Sequence, residues 1–183
     1  QKMIDEILKF NKEFVASKAY EPFITTKYPE KKIAILTCMD TRLTELLPAA
    51  LGIKNGDVKI IKNAGGVIQN PFDSVIRSLM VAIYELHVEE VMVVHHSHCG
   101  ACHMSSEAMV AHMLEHGVSQ KAIEMAKFCG IDFDKWLYGF GNTHQSVIDT
   151  MNVVKQHPLL PRDITVRGFI IDSTTGELQE VVE

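Results

Sequence analysis

Val91-Met92-Val93-Val94-His95-His96-Ser97-His98-Cys99-Gly100 runs from four consecutive apolar residues directly into imidazoles and a thiol. Four apolar residues are too few for a buried helix, and without polar alternation they read as a strand covered on both faces. Chemistry-bearing side chains therefore begin where this strand ends. Upstream, Lys32–Thr37 repeats the pattern: Ile33-Ala34-Ile35-Leu36 opens into Thr37-Cys38-Met39-Asp40, which predicts a buried strand ending at Cys38. Asp57–Ile61 predicts another strand, running into Asn63-Ala64-Gly65-Gly66, and a short helix over Thr44–Leu51, ended by Gly52, lies between the two. Asn70-Pro71 then supplies an N-cap and a first-turn proline for a helix to about His87, along which Val75, Leu79, Ala82, Ile83 and Leu86 keep helical spacing. Strands alternating with helices predict an α/β fold with a mainly parallel sheet flanked by helices. In such sheets ligand sites gather beyond the carboxyl ends of the strands, where Cys38, the Gly65-Gly66 turn and His96 all fall.

The flanking segments add helices and a hairpin. Met3, Ile7, Phe10 and Phe14 recur at intervals of three and four, predicting a helix over residues 2–19 with one narrow apolar stripe. Ser105–His157 reads as mostly helical, broken at Gly117, Gly130 and Gly139-Phe140-Gly141. Ile164–Asp172, Ser173-Thr174-Thr175-Gly176 and Glu177–Val182 predict a C-terminal β-hairpin. With 183 residues, 46% hydrophobic and 22% charged, the chain is expected to form a single domain over 1–183. Eighteen Lys and Arg against 23 Asp and Glu leave a net charge of −5, so no basic excess is available for a phosphate backbone and nucleic acid is not an expected partner. The apolar runs fall far short of the roughly 18 residues a membrane span needs, and neither a signal peptide nor an anchor is read.

Six of the nine residues from His95 to His103 are histidine or cysteine. A His-x-x-Cys pair turns both side chains toward one ion while the backbone between them curves around it, which selects His96 and Cys99 as ligands for a borderline-soft metal such as Zn²⁺. A zinc site needs more ligands, and Cys38 is the only other cysteine at a predicted strand end. Four cysteines so placed fit metal binding in a reducing compartment, the cytoplasm, better than a disulfide scaffold. Cys99-Gly100-Ala101-Cys102 also has Cys-x-x-Cys spacing, which leaves open a redox-sensing pair or a different, non-enzymatic zinc module. His95, His98 and His103 are either hydrogen-bonded strand-end histidines or proton relays.

Cys38-Met39-Asp40-Thr41-Arg42, Asn63-Ala64-Gly65-Gly66 and His96-Ser97-His98-Cys99-Gly100 together resemble the β-class carbonic anhydrases, in particular their short bacterial members. The family pattern of Cys-x-Asp-x-Arg, an Asn-Ala-Gly turn and His-x-x-Cys-Gly is met in order between about Lys32 and His103. The resemblance implies one zinc ion per chain on Cys38, His96 and Cys99. The fourth position would hold water or hydroxide, or else Asp40 in a closed state. It implies that Arg42 pairs with Asp40, which orients a zinc-bound hydroxide toward carbon dioxide to give bicarbonate, and that Gly65 and Gly66 line the substrate pocket. It further implies a homodimer or higher homo-oligomer, with the N-terminal helix of residues 1–20 packed on the partner. Two thiolates cancel the charge of the metal, so water should ionise at higher pH than in a three-histidine site and activity should rise with pH. Hydrolysis of a carbon dioxide analogue such as carbon disulfide is the alternative within the same chemistry. Departures from the family are His95, where glycine is common, His98 before the second cysteine, and Met39 and Thr41 in place of smaller residues.

Overall fold

A computed structural model describes residues 2–183. Five strands, β1 (Ile33–Cys38), β2 (Val58–Asn63), β3 (Glu90–His96), β4 (Thr165–Ile171) and β5 (Leu178–Val181), form one sheet in the order β2-β1-β3-β4-β5. The first four run parallel, and β5 pairs antiparallel to β4, as the mainly parallel sheet and terminal hairpin require. Around them lie α1 (Lys2–Ala16), α2 (Leu46–Leu51), α3 (Ser74–Tyr84), α4 (Ser106–Glu115), α5 (Gln120–Phe128), α6 (Phe133–Trp136) and α7 (Thr143–Gln156). No helix among the described residues is long and apolar enough to cross a membrane. The chain leaves β1 for β2 on one side and comes back for β3 on the other, so the strand order reverses at β1. A crevice is expected beyond the carboxyl ends at such a reversal.

The continuous apolar runs are explained by burial on both faces. On one face Ala34 and Leu36 of β1 and Val91 and Val93 of β3 meet Val75, Ile76 and Leu79 of α3 and Val147, Met151 and Val154 of α7. On the other, Ile35, Val94, Phe169 and Ile171 meet Leu43, Leu47, Ala101 and Phe140. Successive strand residues point to opposite faces, so His95 turns toward α7 and His96 away from it.

Local chemistry moved several element ends. Asn70 is not the cap of α3: its side-chain oxygen accepts from Phe72 N at 2.8 Å in a turn, and Asp73 caps the helix by accepting from Ile76 N at 3.0 Å. That helix stops at Tyr84 rather than near His87, which has φ +64 and cannot continue a right-handed helix. The first helix likewise ends at Ala16, because Lys18 has φ +58. The helix expected over Thr44–Leu51 spans Leu46–Leu51, preceded by a 3₁₀ turn at Thr41–Leu43 and ended by Gly52 at φ +66 as expected.

Gly168 of β4 lies under α7, where a Cβ would overlap the side chains of Met151 and Val147. Gly168→Ala is expected to cost about 1–3 kcal/mol of stability through overpacking, seen in urea unfolding as a lower midpoint with an unchanged slope. An unchanged midpoint would show that α7 shifts over the sheet at no cost.

Candidate metal centre

The carboxyl ends of β1 and β3 are adjacent, with Thr37 paired to Val94, and Thr37 Oγ1 donates to the Val94 carbonyl at 2.8 Å. Cys38 and His96 therefore leave the sheet side by side. The turn after β3 brings Cys99 to them, closed by Cys102 N donating to the Cys99 carbonyl at 3.1 Å. One ligand atom each from Cys38, His96 and Cys99 lies within 4.8 Å of the others, all three residues being buried, and the two sulfurs are 3.9 Å apart. Cys102 does not join them: its sulfur faces the Gly141 carbonyl at 4.0 Å.

Each donor is prepared locally. His96 Nδ1 donates to the Ser97 carbonyl at 2.7 Å, which leaves the lone pair on Nε2, and that nitrogen is buried without a hydrogen-bond partner. An orphaned buried acceptor facing two sulfurs is what a bound cation would satisfy. Gly65 N donates to Cys38 Sγ at 3.4 Å. Burial pushes the Cys38 thiol up, but His96 and the Gly65 and Asp40 backbone amides outweigh it and bring the group to about 7. Burial, with the Cys38 charge beside it, raises Cys99 to about 11, so the pair first loses one proton and holds the second tightly. His96 is raised: burial opposes its charge, and the Cys38 sulfur and Ser97 carbonyl more than offset that. Two thiolates and an imidazole are a donor set suited to zinc.

Asp40 and Arg42 form the polar flank. Asp40 Oδ1 accepts from Arg42 N and Nε at 2.9 Å each, and Oδ2 accepts from Nη2 at 2.8 Å. The Arg42 hydrogen bonds hold the Asp40 carboxyl well below the usual carboxylate range. Arg42 Nη2 also donates to the His98 carbonyl at 2.8 Å, tying this fork to the loop that bears Cys99. Asp40 Oδ2 stands 3.7 Å from His96 Nε2 but is not one of the clustered donors.

Gly65 and Gly66 both have positive φ, +89 and +65, as their turn requires. A Cβ on Gly66 would come within 2.9 Å of the Thr37 backbone, so glycine lets this turn lie on β1. Asn63, singled out only as part of a motif, braces the turn with both ends of its amide: Oδ1 accepts from Val67 N at 3.1 Å and Nδ2 donates to the Val67 carbonyl at 2.7 Å. His95 is on the other face, its Nε2 paired with Ser146 Oγ at 3.0 Å, and burial, with His96 next to it, takes its imidazole down to about 4. Phe140, read from sequence only as part of a helix break, packs its ring 5.5 Å from that of His95.

Because thiolates bind metal, zinc uptake must displace a proton from Cys99 below about pH 11 and a second from Cys38 below about pH 7. His96, raised as well, must also be neutral to bind, so apparent zinc affinity of the metal-free protein is expected to climb at least about tenfold per pH unit above pH 7 and more steeply below it. Competition with a chelator of known affinity measures the slope, and a flat response above pH 7 would mean both sulfurs are already ionised.

The family model described as carbonic anhydrase matches residues 33–178. YtiB of Bacillus subtilis (strain 168), which bears a provisional carbonic anhydrase name, is 46% identical over 180 residues, covering 98% of this chain and 96% of that one. A carbon disulfide hydrolase of Saccharolobus solfataricus is 26% identical over 163 residues, 82% of this chain and 78% of its own. The crystal structure of β-carbonic anhydrase isoform I from Trichomonas vaginalis has a TM-score of 0.88 and 33% identity, covering 98% of this chain and 97% of the other. Sequence and fold agree across the whole stretch that brings Cys38, His96 and Cys99 together, and on that ground the chain belongs to the β-class carbonic anhydrase family.

Proposed function

We propose that this protein catalyses the reversible hydration of carbon dioxide to bicarbonate and a proton, with one zinc ion per chain on Cys38, His96 and Cys99. The observation that carries this reading is His96, whose buried Nε2 has no partner and faces two buried sulfurs. A bound zinc would supply Lewis-acid chemistry that makes water a nucleophile near neutral pH. Asp40, kept ionised and fixed by Arg42, accepts a hydrogen bond from the attacking water and turns a lone pair of its oxygen toward the substrate carbon. Arg42 also opposes the closed state in which Asp40 becomes a fourth ligand, since that move breaks the bidentate fork. The Gly65-Gly66 turn lines the substrate pocket with backbone alone, which leaves room for a small molecule.

Carbon disulfide hydrolysis by the same residues is the second reading, supported by the Saccharolobus solfataricus relative. The chain acts as one domain over 1–183 and as a homodimer: α1 buries none of its residues and exposes Met3, Ile7 and Phe10, an apolar stripe that a second copy would cover. Free thiols at the metal site suit the reducing cytoplasm.

Stopped-flow hydration of carbon dioxide at pH 7 and pH 9, with zinc measured on the same sample, tests the reading. About one zinc per chain and faster turnover at pH 9 are expected; zinc without hydration at either pH would overturn it. Cys38→Ser should lose metal and activity together, whereas Asp40→Ala should keep its zinc and lose about 10–100-fold in kcat/KM. Sedimentation should show a dimer that Phe10→Glu weakens by at least about tenfold in Kd, and an unchanged Kd would remove α1 from the interface.

A further inference from the structure

Ser97 and Ser173 meet just past the ends of β3 and β4. His96 and Ile171 are the last paired residues of these strands, and the ladder goes one bond further, Ser97 N donating to the Ile171 carbonyl at 3.1 Å. Continued parallel pairing would next bring Ser173 N to the Ser97 carbonyl. Instead Ser173 N donates to the Ser97 hydroxyl at 3.0 Å, and Ser173 Oγ donates to the Ser97 carbonyl at 3.2 Å. The two hydroxyl oxygens are 3.1 Å apart, and with the Ser173 proton on the carbonyl it is the Ser97 hydroxyl that donates between them. Two side chains thus stand in for one main-chain bond.

The Ser97 carbonyl accepts a second bond, from His96 Nδ1 at 2.7 Å. A carbonyl only accepts, so the ring proton is on Nδ1 and the lone pair on Nε2, the atom that faces the Cys38 and Cys99 sulfurs. The opposite tautomer would put a proton on Nε2 and take the ring out of the donor set. Both serines are fixed from outside the cluster. His98, with φ +54, turns the chain immediately after Ser97, and Arg42 Nη2 holds the His98 carbonyl at 2.8 Å. Ser173 is buried at the start of the β4–β5 turn, where Asp172 Oδ1 accepts from Thr174 N at 2.8 Å and from Thr175 N at 2.9 Å. The terminal hairpin supplies none of the three donors, yet it reaches them through this one hydroxyl.

We infer that Ser173 is a positioning residue for the metal ligand His96: its hydroxyl holds the Ser97 carbonyl on His96 Nδ1 and so keeps the Nε2 lone pair aimed at the metal. This rests on the zinc assignment proposed above and deepens it, because an outer partner that fixes the tautomer and orientation of a ligating histidine raises metal affinity.

Two measurements test it in the wild type and in Ser173→Ala, Ser173→Thr and Ser173→Val: zinc affinity by chelator competition, and the His96 tautomer by long-range ¹H–¹⁵N NMR of the metal-free protein with the ring neutral. The wild type should carry the proton on Nδ1. Ser173→Ala and Ser173→Val should weaken zinc binding by about threefold or more and populate the proton on Nε2. Ser173→Thr has the shape of the Val variant but keeps the hydroxyl, so it should bind zinc within about twofold of the wild type. Loss of packing alone would weaken the Thr and Val variants alike with the tautomer unchanged, and that result would overturn the inference. So would unchanged affinity in folded Ser173→Ala or, should that variant not fold, equal affinities in Ser173→Thr and Ser173→Val. A wild type with its proton on Nε2 would overturn it without any variant. A wild type that takes up no zinc, with the expected tautomer change in Ser173→Ala, would sink the zinc reading and leave the hold of Ser173 on the ring supported.

Discussion

The pairing of β1 with β3 is the constraint on which the rest of the site depends. Cys38 and Cys99 are 61 residues apart in sequence, yet their sulfurs lie 3.9 Å apart because two parallel strands in register end together. Burial on both faces makes that register hard to change: a slip by one residue would move Leu36 and Val93 off the α3 and α7 face and bring their neighbours onto it. The Thr37 hydroxyl on the Val94 carbonyl adds a further tie at the level where the donors emerge. The geometry of the Cys38, His96 and Cys99 cluster is a consequence of sheet geometry.

From that juxtaposition follows an uneven distribution of charge. Two sulfurs so close cannot ionise independently, so one carries the first negative charge, helped by the Gly65 amide, and the other stays protonated well into the alkaline range. A cation is the natural resolution of the repulsion, and the unpartnered His96 Nε2 completes its surroundings. Arg42 contributes by holding Asp40 ionised and by reaching the His98 carbonyl, so that carboxylate and ligand loop keep one spacing.

The strands were readable because each is a short apolar run opening into polar residues, and the glycine breaks in 105–157 fell where α4, α5, α6 and α7 are separated. Element ends were less readable. Asn70-Pro71 has the composition of a helix start, but the Asn70 carbonyl and side chain close a turn and Asp73 takes the cap. Lys18 and His87, both in left-handed conformations, follow the ends of α1 and α3 without glycine and so without a sequence signal. In the site, the cluster of donors was legible from residue type and spacing. Asn63 and Phe140 were not, because bracing a turn and packing against the His95 ring are properties of position.

By itself the sequence determined the α/β class, the strands and their polar exits, and the donors Cys38, His96 and Cys99, since short-range pattern and residue chemistry are local quantities. Tertiary structure decided which face each histidine takes, the bond of His95 to Ser146, the support of the Asn63 turn beneath Cys38 and the packing of Phe140 against the His95 ring. Those features depend on strand order and on loops folding back across the sheet, and distances between segments remote in sequence exist only once the chain has packed.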